Sequence, residues 1–401
     1  MTSTTVRIPE AGRAGGALTR CTGDANAFLR DTWGRRATVH GSVDAQGFSD
    51  LLTLDDVDRL LSSTFLRTPT FRLVKAGETI PEPSYTRSGR TGSKPVSGMA
   101  DPARIAELFR GGATIVLQGL HRYHEPVTRL CRDLELELGH PCQVNAYITP
   151  PGTQGLELHV DPHDVFVLQA FGRKSWEIHA APNEAERQPI HAEIGAGDCV
   201  YMPTGTSHAA STPAAVSGPS GHLTVGVHVT PWRDVVAHAI QGLEATPSLD
   251  DPVPAGWTHD PDAFATELAS RLRSASEALG SVNVEGLARA RRDRFLSTRS
   301  PLLRGAIAAA IETEPIGSAT RLVRRGGTVC DVRVAGDGLV VLLGDRRLHM
   351  PGWLEPAMRQ IADVETLTAD DLSDSIADPA SRLVLVRRLV REGLFLVDDG
   401  R

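Results

Sequence analysis

Two histidines and one aspartate in this chain of 401 residues are spaced in a way that suits a metal site. His159 and Asp161 are two residues apart in the extended segment LELHVDPHDVF, so both side chains project from the same face of a strand. His208 follows a short apolar strand and a Pro-Gly turn in GDCVYMPTGTSH, which favours it as the third ligand. Two imidazoles and one carboxylate leave three coordination positions open, as a non-haem Fe(II) oxygenase requires for a chelating cosubstrate and O₂.

The spacing of the first two residues is a weak signal by itself, because an H-x-D match arises by chance in many chains of this length. A hydrogen-bonded loop histidine is the simpler interpretation of His159 taken alone. Three further histidines, His163, His179 and His191, compete with His208 as ligands, although none of them has the same strand-and-turn context.

A lysine near the predicted ligands suits an anionic cosubstrate. Lys174 is the only lysine after Lys94, and it follows a tight FGR turn. Alternation places it on the same face as Trp176, and a compact ammonium can bind the far carboxylate of a dicarboxylate. A solvated lysine in a hairpin turn fits the same spacing equally well.

Polar residues alternate with apolar ones on two further strands. Asn145 and Tyr147 share a face of QVNAYIT, and Thr224 lies on the polar face of HLTVGVH. Polar faces usually meet solvent, but in a barrel they can line a cavity. Two such strands near the predicted ligands favour a polar interior, and a solvent-facing position stays open as the alternative.

Several helices are predicted from caps and apolar stripes. Thr53 is a plausible cap for a helix over 51–63, and a helix over 126–139 ends at Gly139. Asp260 can cap a long helix, and further helices follow near 284–297 and 301–312.

The elements change character along the chain and predict an α+β protein of several domains. Residues 1–22 have the composition of a flexible tail. Over 23–232, short strands separated by Gly and Pro turns predict a barrel or jelly roll. Residues 233–315 are helical, and 316–401 combine helices with a small hairpin, as a winged-helix-like domain does.

Composition narrows the class of protein. A formal net charge of −7 argues against strong nucleic-acid binding and suits a basic partner. The five cysteines are scattered without a CxxC pair, so we expect neither a disulfide framework nor a zinc site. No apolar leader and no run of 18 apolar residues occurs, so we expect a cytoplasmic protein without membrane spans.

The sequence resembles a known family, the JmjC-type cupin branch called ribosomal oxygenases, from about Phe28 onwards and most strongly over 110–232. The resemblance rests on ordered matches, namely FLRDTWGRRATVHGS, LQGLHRYHEPVTRLC, QVNAYITPPGTQGLELHVDPHDVFVLQAFGRKSW, GDCVYMPTGTSHAA and HLTVGV. It implies a double-stranded β-helix (jelly-roll, cupin) catalytic domain, then a helical dimerisation domain and a C-terminal winged helix. It also implies Fe(II) on His159, Asp161 and His208, and 2-oxoglutarate on Lys174, Asn145 and Thr224.

One departure from the family bears on the substrate. Relatives commonly carry aromatic residues in a pattern like HYDxYDVF, where this chain has Val160 and His163. Aromatic residues there shape the substrate cleft, so the usual substrate is open to question. Tyr147 and His163 are candidates for substrate contacts, with a structural or surface role as the alternative for His163.

The resemblance therefore implies a 2-oxoglutarate-dependent dioxygenase that uses O₂ to hydroxylate an Arg or His side chain of a protein. The expected substrate is a ribosomal protein. The resemblance also implies that the enzyme forms a homodimer. A second hypothesis keeps this chemistry but acts on a peptide-derived or small natural product. A third is a DNA-binding regulator that uses the winged helix and a sensory barrel. Arg387, Arg388 and Arg391 motivate it, although helical spacing explains them equally as a solvated face.

Overall fold

A computed structural model of the chain describes residues 16–398 apart from 44, 180–187, 215–216, 242, 244–246, 300–301, 303–304, 306 and 308–315. The chain divides into two compact units, residues 1–229 and 230–401. Most of the helix predicted over 301–312 lies outside the described residues. The finer division into domains at 22, 232 and 315 stays a prediction.

The first unit combines helices with many short strands. Its helices are α1 (Ala17–Thr22), α2 (Ala25–Asp31), α3 (Leu54–Ser63), α4 (Pro102–Arg110) and α5 (Glu125–Leu138). Its strands are β1 (Thr38–His40), β2 (Phe71–Lys75), β3 (Glu78–Thr79), β4 (Thr86–Thr91), β5 (Lys94–Ala100), β6 (Thr114–Leu117), β7 (Cys142–Thr149), β8 (His159–Val160), β9 (Asp164–Phe171), β10 (Lys174–Ile178), β11 (Ile190–Ile194), β12 (Cys199–Met202), β13 (Ser207–Ser211) and β14 (Ser220–Val227).

Local signals account for where the helices begin and end. Thr53 Oγ1 accepts a hydrogen bond from the Asp56 amide at 3.1 Å, and the Asp56 carboxylate accepts from the Thr53 amide at 3.0 Å. This capping box contributes about 1 kcal/mol to helix stability. Gly139 ends α5 with a φ of 70°, a conformation that suits glycine. The predicted bounds of these two helices are thereby confirmed to within a few residues.

The predicted tail is shorter than residues 1–22, because Ala17–Thr22 is helical. Leu18 and Cys21 on this helix are buried at 0% and 1% exposure in the main core. An isolated helix of six residues is unstable in water, so packing of these apolar side chains holds it.

The strands that matter for the site form two antiparallel sheets. The larger has the order β1-β12-β9-β14-β7-β6-β2-β3, and the smaller has the order β11-β10-β13-β8. Val165 and Val167 of the larger sheet share a core with Trp176 and Ile178 of the smaller one, so the sheets pack face to face. This is the double-stranded β-helix that was predicted.

The larger sheet is buried on both faces, and alternation along its strands separates two environments. On β9, Phe166 and Leu168 pack into the core shared with the helices, while Val165 and Val167 face the smaller sheet. On β7 and β14 the apolar positions face the helices. The apolar side chains concerned are Val144, Ala146, Ile148, Leu223, Val225 and Val227. Each fully buried side chain of this size contributes about 1.5–3 kcal/mol, so the polar positions are forced towards the smaller sheet.

The second unit has its own core. Its helices are α6 (Trp232–Gln241), α7 (Pro247–Asp250), α8 (Pro261–Gly280), α9 (Val284–Ser297), α10 (Glu355–Asp363) and α11 (Pro379–Arg391). Its strands are β15 (Leu322–Arg324), β16 (Asp331–Ala335), β17 (Gly338–Leu343), β18 (Arg346–Pro351), β19 (Thr366–Leu367) and β20 (Phe395–Val397). The core draws on β15, β17, β18, α10 and α11. Asp260 caps α8 as predicted, but none of the described residues of α6, α8 or α9 is buried.

Among the described residues, no helix combines the length and the apolar character that crossing a bilayer requires.

Candidate active site

Two short strands bring the predicted histidine ligands together. β8 pairs with β13 so that His159 lies directly opposite His208, and their ring centroids are 4.4 Å apart. β13 also pairs with β10, where Ile178 is the partner of His208. His208 is therefore fixed from both sides and is only 4% exposed.

Asp161 completes a group that could hold a metal ion. One ligand atom from each of His159, Asp161 and His208 lies within 4.8 Å of the others. His208 Nε2 lies 3.6 Å from an Asp161 carboxylate oxygen. Three ligands on one side leave the other side of an ion free for further groups.

Hydrogen bonds set the orientation of both imidazoles. His159 Nδ1 donates to the Glu157 carbonyl at 2.7 Å, and His208 Nδ1 donates to the Thr206 carbonyl at 2.9 Å. A carbonyl can only accept, so each Nδ1 carries a proton. In the neutral form of each ring, Nε2 then has the lone pair that can bind an ion. Burial lowers the pKa of His208, which favours the neutral form that a metal needs.

A second aspartate in the same segment has a different role. The Asp164 carboxylate accepts hydrogen bonds from the amide and the hydroxyl of Thr204, at 2.8 and 2.7 Å, and from the Tyr201 hydroxyl. These contacts hold the turn whose Thr206 carbonyl orients His208. Asp164 is thus a buried positioning residue for the late histidine.

The competing histidines lie outside the group of three. His163 packs edge-on against His228, with centroids 5.2 Å apart, and its Nε2 is 3.5 Å from the Gln143 amide nitrogen. His179 Nε2 lies 3.0 Å from the Glu177 carboxylate, and His191 sits on β11 opposite Glu177.

The predicted lysine is buried beside the same cavity. Lys174 is 2% exposed, and its ammonium donates to Thr149 Oγ1 at 3.1 Å and to His222 Nδ1 at 3.2 Å. Burial lowers the pKa of Lys174 to about 7. Within the part of the chain that the structure describes, no carboxylate pairs with it. The alternative of a solvated turn lysine is wrong.

The other predicted cosubstrate and substrate residues divide between two locations. Tyr147 and Thr224 line the cavity together with His159, Asp161, Lys174 and His208. Their strands therefore have a polar inner face, and the solvent-facing alternative is wrong for these positions. Asn145 lies on the same strand face, but its side-chain oxygen accepts from the Gly119 amide at 2.9 Å, and it is not among the lining residues.

Sequence reasoning did not assign Trp176 and His222, which line this cavity, or Thr149, which accepts from Lys174, as site residues. Trp176 is 5% exposed, and its indole N–H has no hydrogen-bond partner among the described residues although it is buried. His222 stacks on Tyr147, with centroids 5.2 Å apart and an angle of 7° between the rings. Alternation on β7, β10 and β14 could have placed all three on the inner face, but nothing local indicated that they meet at Lys174.

Comparison with known proteins agrees with this architecture. A family model described as the JmjC domain matches residues 120–235, which include all three residues of the metal-binding group.

Two curated relatives show how far the similarity extends. The bifunctional lysine-specific demethylase and histidyl-hydroxylase NO66 of Dictyostelium discoideum is 27% identical over 210 residues, 48% of this chain and 39% of that protein. Ribosomal oxygenase 2 of Rattus norvegicus is 30% identical over 197 residues, 42% of each chain. This chain thus spans about two fifths of the length of either relative.

Solved structures of the ribosomal oxygenase YcfD from Escherichia coli share the fold. One aligns with a TM-score of 0.52 and 19% identity over 93% of this chain and 98% of that one. Another, of YcfD in complex with cobalt and 2-oxoglutarate, has a TM-score of 0.53 and 22% identity over 92% of this chain and 96% of that one.

The chain therefore carries a JmjC domain over residues 120–235, in the double-stranded β-helix class of folds. Within that class it is similar to the ribosomal oxygenases, as the sequence motifs predicted.

Replacement of His208 by alanine tests the metal-binding group. We expect the affinity for Mn(II), measured by isothermal titration calorimetry, to fall on the order of 100-fold or more. Loss of a residue that only orients a metal ligand lowers metal affinity about 10–100-fold, and loss of the ligand itself should have a larger effect. The matched control is His191→Ala, which removes an imidazole from β11 and should leave Mn(II) affinity within about twofold of the wild type, since a surface change away from the site has little effect. Wild-type affinity in His208→Ala would contradict the assignment.

Proposed function

We propose that this chain is an Fe(II)- and 2-oxoglutarate-dependent oxygenase that hydroxylates an amino-acid side chain of a protein, and that a ribosomal protein is its substrate. The observation that carries the proposal is one cavity lined by His159, Asp161 and His208 together with the buried ammonium of Lys174. This chemistry requires a site for Fe(II) and a cation that binds the far carboxylate of 2-oxoglutarate, and this cavity contains candidates for both.

The donor set suits iron. Two imidazoles and one carboxylate form the facial triad of non-haem Fe(II) oxygenases, and the contacts of both Nδ1 atoms with backbone carbonyls leave the Nε2 atoms to bind the ion. When bound, Fe(II) and 2-oxoglutarate activate O₂ and supply an oxygen atom for insertion into a C–H bond, with succinate and CO₂ as the other products. Asp161, which is half-buried, supplies the negative charge of the ligand set.

The cavity also suits a dicarboxylate. Lys174 is a buried cation without a carboxylate partner among the described residues, so its charge is available to a ligand. The indole N–H of Trp176, buried without a partner in the same part of the chain, and the Thr224 side chain add donors on the cavity wall. We assign Lys174 to the far carboxylate of 2-oxoglutarate, with Thr224 beside it. The Asn145 side chain accepts a hydrogen bond from the Gly119 amide and also contacts Tyr147, so we assign it to holding Tyr147 in the cavity wall and not to binding 2-oxoglutarate.

The protein's own residues orient and enclose the reactants. Carbonyl contacts fix the two imidazoles, and the Asp164–Thr204 contacts fix the turn before His208. The apolar wall of Val165, Val167 and Trp176 excludes water from the inner end of the cavity. Exclusion of water and correct orientation are the protein's main contributions when a cofactor does the oxidation.

The relatives support a protein substrate. Their names describe ribosomal oxygenases and a histidyl-hydroxylase, and a net charge of −7 suits a basic ribosomal protein. Val160, at 53% exposure, and His163, which packs edge-on against His228, stand at the two positions where the family commonly carries aromatic residues. Mass spectrometry of the product decides between Arg and His. The same residues motivate the rival hypothesis of a peptide-derived or small-molecule substrate.

The DNA-binding hypothesis finds less support. Arg387 Nη2 donates to the Ile316 carbonyl at 2.7 Å, and Arg388 lies 3.9 Å from the Glu392 carboxylate. Two of the three arginines that motivated it therefore already have partners within the chain.

We also propose that the chain forms a homodimer through its middle helices. Trp232, Val236 and Ile240 follow one stripe of α6 at 81%, 48% and 42% exposure. Leu268 and Leu272 on α8 are 45% and 62% exposed. Apolar stripes of this extent on helices without buried residues are typical of an interface with another chain.

Hydroxylation of ribosomal proteins tests the function. Incubation of the wild type with Fe(II), 2-oxoglutarate and ribosomal extract should yield succinate and one ribosomal peptide heavier by one oxygen atom in mass spectrometry. Asp161→Ala should abolish both products while the circular dichroism spectrum is unchanged, and Asp58→Ala on the exposed face of α3 should behave as wild type. Succinate formed only with another compound would exclude the ribosomal substrate, and turnover by Asp161→Ala would exclude the iron assignment.

The pH dependence of succinate binding tests Lys174. A bound carboxylate favours the charged ammonium, and the pKa of Lys174 in the free protein is about 7. Affinity for succinate should therefore be constant below this pKa and fall about tenfold per pH unit above it, until the pKa of the complex is reached. Lys174→Arg keeps its charge throughout and should lose this dependence, even if its affinity is weaker. A flat profile in the wild type would remove Lys174 from the anion site.

Replacement of Leu272 by glutamate tests the dimer. Sedimentation velocity should show a dimer for the wild type and a monomer for Leu272→Glu, because a charge in an apolar interface loses its hydration. Ser270→Glu, on the opposite side of α8, is the matched control and should remain dimeric. A monomeric wild type, or a dimeric Leu272→Glu, would contradict the proposed interface.

A further inference from the structure

The surroundings of Lys174 are built from neutral acceptors. Thr149 accepts from the ammonium at 3.1 Å and is itself 3.2 Å from Thr114 Oγ1. His222, on the neighbouring strand β14, accepts on Nδ1 at 3.2 Å. A carboxylate in either place would neutralise the ammonium and compete with an anionic ligand, whereas a neutral acceptor holds the ammonium and leaves its charge available.

His222 is itself held on every side. β14 pairs with β7 on one edge and with β9 on the other, and His222 lies opposite Tyr147 and Gln169 in these ladders. The imidazole stacks on Tyr147 and meets Trp176 edge-on, with centroids 5.5 Å apart. The imidazole is only 4% exposed, so these ring contacts fix its position beside Lys174.

The contact with Lys174 also defines the chemical form of the imidazole. An ammonium can only donate, so Nδ1 of His222 must be unprotonated and the neutral ring carries its proton on Nε2. Burial and the neighbouring Lys174 lower the pKa of His222 well below its usual value, which agrees with the neutral form.

We propose that His222 is a positioning residue for cosubstrate binding: its unprotonated Nδ1, braced by Tyr147, holds the Lys174 ammonium in the orientation that receives the far carboxylate of 2-oxoglutarate. This inference rests on the proposed function. A lysine side chain is long and flexible, so an acceptor that fixes it before binding removes an entropic cost from the binding step.

Replacement of His222 by leucine tests the inference through binding, without turnover. Two keto acids serve as probes on the Mn(II)-loaded protein: 2-oxoglutarate, and 2-oxobutyrate, which lacks the far carboxylate. We expect His222→Leu to bind 2-oxoglutarate at least tenfold more weakly by calorimetry and to bind 2-oxobutyrate and Mn(II) as the wild type does. His222→Gln, whose amide oxygen can accept from Lys174, should recover part of the loss. His228→Leu, from the exposed end of the same strand, should bind both keto acids normally.

A spectroscopic measurement covers the case in which His222→Leu fails to fold. In wild-type protein labelled with ¹⁵N-histidine, His222 should show a protonated Nε2 and an unprotonated Nδ1. A protonated Nδ1 would overturn the inference, as would equal weakening of both keto acids, which indicates general damage to the cavity. Unchanged binding of 2-oxoglutarate by His222→Leu overturns the inference alone. A wild type that binds neither keto acid overturns it together with the proposed function.

Discussion

The candidate site depends on a β-sheet that is buried on both faces. Apolar side chains of β7, β9 and β14 pack against the helices on one face and thereby fix the register of each strand. Since successive residues of a strand point to opposite faces, this packing also determines which residues face the smaller sheet. A slip of one residue would exchange Tyr147 for Ile148 and Thr224 for Leu223, at the cost of both the core and the cavity. The chemistry of the site is therefore coupled to the stability of the core behind it.

Charged side chains buried between the two sheets lose their hydration, which costs free energy. The hydrogen bonds around each of them show how much of this loss the protein replaces. An unpaired buried ammonium is unfavourable, and among the described residues Lys174 donates to Thr149 and His222 alone. Its lowered pKa shows that the protein does not fully compensate for lost hydration. The Asp164 carboxylate, by contrast, has several donors and serves to hold a turn. The two buried charges thus differ in their partners, since Asp164 has several donors within the fold whereas Lys174 has no carboxylate partner among the described residues.

The two units differ in how completely they bury their apolar surface. The first unit encloses α1 to α5 and the larger sheet in one core, while α6, α8 and α9 of the second unit have no buried residue in their described parts. The helices α6 and α8 nevertheless expose large apolar side chains, among them Trp232, Val236, Leu268 and Leu272. The proposed dimer would account for these exposed side chains, since an interface with a second chain would cover them.

Much of the site could be predicted because it depends on local pattern. The H-x-D spacing, the Pro-Gly turn before His208 and the period of two on β7 and β14 are properties of short segments. Caps such as Thr53 and the αL glycine at Gly139 likewise act within one or two turns of a helix. Such signals depend on residues that are close together along the chain, so they can be interpreted from the sequence without knowledge of the fold.

The sequence by itself determined which residues alternate, where helices begin, and which residue types could bind a metal and an anion. Only the tertiary structure decided that the polar faces of β7 and β14 point inward, that Asn145 turns to Gly119, and that Ala17–Thr22 is packed in the core. It alone brought His222 and Thr149 to Lys174, residues that are 48 and 25 positions away along the chain. Such meetings depend on the pairing of β10, β7 and β14 within two facing sheets, and no short segment carries the register of strands that are distant in sequence.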